Sequence, residues 1–140
     1  MFSAADMRFV TKDCIMSIRE PRMGLAADLG ALQRMPRKCA KNSHMITELC
    51  YTGRDFNGEF AERELGFCSS FADYGAAIEH ALTVAREIAA LSPVAIQATK
   101  KTLMYSRHHS EDEVGLFLLS VGLVICYHSN CLSVELVVVC

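Results

Sequence analysis

Neither sign of charge dominates this chain: 14 Lys and Arg stand against 16 Asp and Glu over 140 residues, a formal net charge of −2. Without a field of one sign, neither nucleic acid nor an anionic membrane surface is implied as a partner. The seven cysteines (Cys14, Cys39, Cys50, Cys68, Cys126, Cys131 and Cys140) contain no CxxC and no metal-ligand spacing, and their odd number makes no even disulfide framework. The opening MFSAADMRFV has neither the apolar core of a secretory signal nor the Arg- and Ser-rich pattern of a transit peptide. Free thiols in a reducing compartment are therefore expected. No repeat, linker or low-complexity segment marks a boundary. What is present, 51% hydrophobic and 21% charged residues, is the composition of one ordinary globular core.

The first half reads as short strands feeding helices. DMRFVT and CIMSIR carry β-branched and aromatic residues around the turn signal KD, and both are expected as strands. The second delivers Glu20, which Pro21 pushes toward an extended conformation, so that Glu20 should not open a helix. ALQRM is expected as a short helix stopped by Pro36. NSHMITELCYTG places Met45, Ile46, Leu49 and Cys50 at helical spacing, with Asn42 or Ser43 as N-cap and Gly53 past the end. FAERELGF offers one or two turns ended by Gly66, and CSSF a strand or loop.

The second half is expected to be helical. YGAAIEHALTVAREIAAL aligns Ile78, Ala81, Leu82, Ala85, Ile88 and Ala89 on one face. SPVAIQATKKTLMYS starts with Ser92 as N-cap and Pro93 at the first position. Ser110 and Glu113 spell a capping box before VGLFLLSVGLVICY. That apolar run is shorter than the ~20 residues a bilayer needs, so a buried helix is expected there, then a strand-like or disordered end.

Two isolated carboxylates, Glu20 and Asp28, flank a loop otherwise built of Gly, Ala, Leu and Met. Asp28 near a helix start is on its own terms a capping residue. His108 and His109 beside Glu111, Asp112 and Glu113 read as a solvated capping box, because adjacent His side chains diverge and no third metal ligand is spaced to join them. Lys100 and Lys101 read as a solvated helix face before a phosphate contact.

The stretch ADMRFVTKDCIMSIREPRMGLAADLGALQRMP, continued by ELCYTGRDF, AERELGF and SPVAIQATKKTLMYSRHHS, resembles the crotonase (enoyl-CoA hydratase/isomerase) superfamily over roughly residues 3 to 113. Within it, an acid at Asp28 in GLAADLG, where hydratases carry Gly, resembles the Δ3,5-Δ2,4-dienoyl-CoA isomerases. The resemblance implies an α/β fold: part of a crotonase-type ββα spiral over residues 1–113 with a mainly helical C-terminal region, then a divergent apolar tail over 114–140. It implies proton transfer by Glu20 next to a CoA thioester and by Asp28 at the far end of a 3,5-diene, one as base and the other as acid, with no metal and no cofactor. An apolar wall and a neighbouring like charge would set their two pKa values apart.

The resemblance further implies an acyl-CoA substrate in fatty-acid β-oxidation, a trimeric or hexameric homo-oligomer, and a mitochondrial or peroxisomal matrix location, although no targeting signal, SKL-type ending included, is present. The family's two oxyanion-binding N–H groups and a further Asp would match residues ahead of Met1. The chain is thus expected to correspond to the C-terminal part of an isomerase, as a truncated product or incomplete gene model, and to lack turnover alone. The alternative is a catalytically silent subunit or binding module that joins full-length crotonase trimers.

Overall fold

A computed structural model describes residues 2–27, 30–39, 41–125 and 136–139, with side chains described as far as residue 118. Contacts divide the chain into two compact units, Met1–Ala81 with Glu135–Cys140, and Leu82–Val134.

The first unit is built on a parallel sheet. After a 3-10 turn at Phe2–Ala4, β1 (Met7–Thr11) runs with Phe9, Val10 and Thr11 all buried, a continuous run in place of alternation, as a strand covered on both faces requires. β1 lies between β4 (Ser69–Phe71) and β5 (Leu136–Val139), both parallel to it. A second, two-stranded antiparallel sheet pairs β2 (Ile15–Met16) with β3 (Phe56–Asn57). The expected strand in CIMSIR thus shortens to two residues, and the turn at Lys12 and Asp13 carries the chain from one sheet to the other.

Helices α1 (Ala31–Lys38), α2 (Ser43–Thr52) and α3 (Gly58–Arg63) bury Met35, Ile46, Leu49 and Ala61 against Ile18, Ala27, Cys39, Phe56, Leu65 and Phe67 to form the core. The caps of α2 are those its sequence spells: the Asn42 side chain accepts from the Met45 N–H at 3.1 Å, and Gly53, at φ 59°, ends the helix by donating to the Leu49 carbonyl. Gly66, at φ 62°, donates to Glu62 after α3 as expected. Gly58 is required by close approach, since a Cβ there would stand 2.1 Å from the Thr11 carbonyl oxygen of β1.

Pro36 does not stop α1 but lies inside it. It forfeits one bond, that to the carbonyl four residues back, while Met35 just before it and Cys39 at the end of the helix are buried in the core. Burial outweighs the missing bond.

The helix α4 (Tyr74–Ala89) begins in the first unit, where Asp73 accepts from the Ala76 N–H at 2.9 Å and Ala77 and Ala81 are buried. In the second unit α5 (Pro93–Tyr105) starts with Ser92 as N-cap and Pro93 in the first turn, although the Ser92 side chain makes no capping bond. The capping box of α6 (Glu111–Ile125) is formed: Ser110 N–H donates to Glu113 at 2.8 Å, and Glu113 N–H donates to Ser110 Oγ at 3.4 Å. Tyr105 is stacked between His109 and Phe117, with ring centroids at 3.6 and 4.1 Å, which ties α5 to α6. At the start of the run expected as a buried helix, Leu116 and Leu118 of α6 are exposed, as is Leu82 on the apolar stripe of α4, while the side chains of that run beyond residue 118 lie outside the described residues. An apolar stripe is buried only where another element covers it.

Candidate active site around Glu20

Glu20 opens a 3-10 turn, Glu20–Met23, instead of standing in extended backbone. Proline disfavours an α-helical residue before it, yet it leaves the tighter turn accessible, and its absent N–H is one that a helix start does not use. Arg19 supplies the N-cap at φ −83° and ψ −10°; Gly24, left-handed at φ 74°, donates to the Pro21 carbonyl at 3.1 Å, and Leu25 N–H donates to the Glu20 carbonyl at 3.0 Å. The turn is therefore closed on its own backbone, leaving the half-buried Glu20 carboxylate unconsumed by capping.

The C-terminal end of α2 packs against this turn. Gly53 is buried, and a Cβ at that position would approach both the Ile18 carbonyl oxygen and Arg22 Cγ to 3.1 Å, on either side of Glu20. Arg19, next to Glu20, forms a two-oxygen ion pair with Asp55 at 3.0 and 3.1 Å; both partners are exposed, so its net contribution is at most about 1 kcal/mol. From the last full turn of α2, Cys50 faces Glu20 closely enough to feel its charge: burial first, and the Glu20 carboxylate second, push its thiol above the ordinary 9.0. Helical spacing had placed Cys50 on the apolar face of α2, but nothing in the sequence signalled that this face meets Glu20.

Asp28 lies outside the described residues. Its neighbourhood is defined on both sides: Ala27 is buried, and Gly30, left-handed at φ 79°, is the N-cap of α1, with no side chain to make a capping bond.

The remaining titratable candidates are drawn off into structure. His109 stacks on Tyr105 and its Nδ1 meets the Tyr105 carbonyl at 2.8 Å. Glu113 is held below the usual carboxylate range by the backbone and side-chain bonds from Ser110. Lys100 and Lys101 are half-buried on α5, less solvated than expected. Among the described residues, no group of three or more His, Cys, Asp or Glu stands where it could hold a metal ion, and no helix is long and apolar enough to cross a membrane. Two open grooves, of about 580 Å³ beside Arg54, Phe56 and Phe60 and about 420 Å³ beside Asp13, Asp73 and Tyr74, are not lined by Glu20.

The model of the enoyl-CoA hydratase/isomerase family matches residues 1–116. A Δ(3,5)-Δ(2,4)-dienoyl-CoA isomerase, mitochondrial, from Mus musculus is 41% identical over 114 residues, covering 81% of this chain and 34% of the relative. A peroxisomal protein of the same name from Arabidopsis thaliana is 33% identical over 114 residues, with 81% and 40% covered. Among solved structures, an enoyl-CoA hydratase from Mycobacterium tuberculosis superposes with a TM-score of 0.77 at 30% identity, over 91% of this chain and 49% of that one. The chain thus spans about a third of the length of the first of these relatives and about half of the solved structure.

Proposed function

The chain belongs to the enoyl-CoA hydratase/isomerase family, and from that premise we propose that it carries the proton-transfer segment of a Δ3,5-Δ2,4-dienoyl-CoA isomerase, with Glu20 and Asp28 as its two catalytic carboxylates. Glu20 takes a proton from C2 of a 3,5-dienoyl-CoA, next to the thioester. The electron pair moves along the chain, the double bonds shift from positions 3 and 5 to 2 and 4, and Asp28 returns a proton at C6. Each positioned transfer contributes about 10²–10⁴-fold.

The observation that carries this reading is the turn around Glu20: its backbone is closed internally and braced by Gly53 of α2, which leaves a half-buried carboxylate with no structural task. The identity to dienoyl-CoA isomerases from mouse and plant supports the choice of substrate within the family. An acyl-CoA thioester as ligand, a trimeric or hexameric assembly, and a mitochondrial or peroxisomal matrix location belong to the same proposal and rest on those relatives.

A second reading, a catalytically silent subunit that joins other crotonase assemblies, is favoured by the apolar residues Leu91, Val94, Leu103 and Met104 left exposed around α5. Activity separates the two. Residues 1–116 substituted for the matching third of the mouse relative should sustain formation of the conjugated 2,4-diene, followed by its absorbance. A folded, assembled chimera that binds acyl-CoA without turnover would favour the silent subunit.

A further inference from the structure

Strand β5 does not come from the part of the chain that matches the family, which ends at residue 116. It nevertheless belongs to the first unit and pairs with β1 residue for residue, Met7↔Leu136 through Val10↔Val139, on the edge opposite β4. Among the described residues of this 140-residue chain no other strand pairs with that edge of β1, so loss of β5 would leave the N–H and C=O groups of Met7–Val10 open to strand addition. The covering run Leu-Val-Val-Val has strong β propensity, no charge and neither Pro nor Gly, the composition of segments that pair readily between chains. β1 and β5 stand at opposite ends of the sequence, so their closure within one chain is slow relative to local structure and competes with closure between chains. A second copy brings the same four residues, and the parallel register is satisfied equally well in trans.

We propose that β5 is a displaceable cap on a strand-accepting edge, and that the occupant which replaces it is β5 of a second copy of this chain, giving a strand-exchanged dimer.

The test uses the 140-residue chain, the variants Val137→Pro and Val138→Pro, and a labelled peptide of residues 134–140. Alternate residues of a parallel strand bond to a given neighbour, so one of these adjacent prolines removes a ladder N–H. At least one variant should lose hydrogen-exchange protection at Met7–Val10 while keeping it in α2. That variant should bind the peptide about tenfold more tightly than the wild type. The wild type should form a dimer whose fraction rises with concentration and falls in the same variant. Unchanged exchange at Met7–Val10 in both variants, an opened edge that takes no peptide, or a dimer undiminished in both would overturn the proposal. If a proline also removes protection from α2, the wild type incubated with excess isotope-labelled peptide decides: uptake of the peptide in place of β5 supports the cap, and its absence overturns it.

Discussion

Among the described residues, Cys14, Cys39, Cys50 and Cys68 form no disulfide, and their environments follow from packing. Burial pushes the Cys39 thiol up to about 11, with Arg8 pulling it back and Cys50 adding to the rise. Burial, and then Glu62, push Cys68 up to about 12. The thiolate is the reactive form, so at pH 8 Cys39 in the native chain should be alkylated by iodoacetamide about 10²-fold or more slowly than an ordinary exposed thiol, a difference that denaturant should erase. Peptide mapping against time checks this. The sign for stability follows from linkage: the folded state holds these protons more tightly, so their contribution is complete below the unfolded value near 9 and is lost as pH rises through 11 to 12. Legibility of the site itself was likewise partial at this scale. Glu20 stood out as an isolated carboxylate, whereas its bracing by Gly53 and its closeness to Cys50 depend on α2, which is distant in sequence.

Among the elements, those with local signals formed as written. Asn42, Gly53 and the Ser110–Glu113 box each act within one turn of their own helix, so sequence alone suffices to place them. The two proline rules failed where packing intervened: α1 continues through Pro36, with Met35 before it and Cys39 after it both buried, and the chain at Glu20 tightens into a 3-10 turn in place of an extended exit. α2 offers a clean check, since it carries both core residues and the wall against Glu20. Asn42→Ala should lower stability by about 0.5–2 kcal/mol, while Asn42→Asp should be nearly neutral, because Asp caps as well as Asn. Equilibrium denaturation of both variants measures the difference; equal losses would mean that the cap bond is not what holds this end of the helix.

For the whole molecule, the fold class was legible through the family resemblance, with short strands feeding helices in the first half and helices in the second as its local signals. The pairing of β1 with β5 was not, since register between distant segments leaves no local mark. The division of labour between the two proposed catalytic carboxylates is the claim on which the account rests. In the chimera with the mouse relative, the direct measurement is isotope incorporation from heavy water during reaction with a 3,5-dienoyl-CoA, in Glu20→Gln and Asp28→Asn variants. The account predicts that Glu20→Gln stops both deuterium exchange at C2 and isomerisation. It predicts that Asp28→Asn keeps exchange at C2 but loses about 10²-fold or more of 2,4-diene formation. Near-normal isomerisation by Asp28→Asn, together with a lowered melting temperature in Asp28→Ala, would contradict it and leave Asp28 as a structural residue alone.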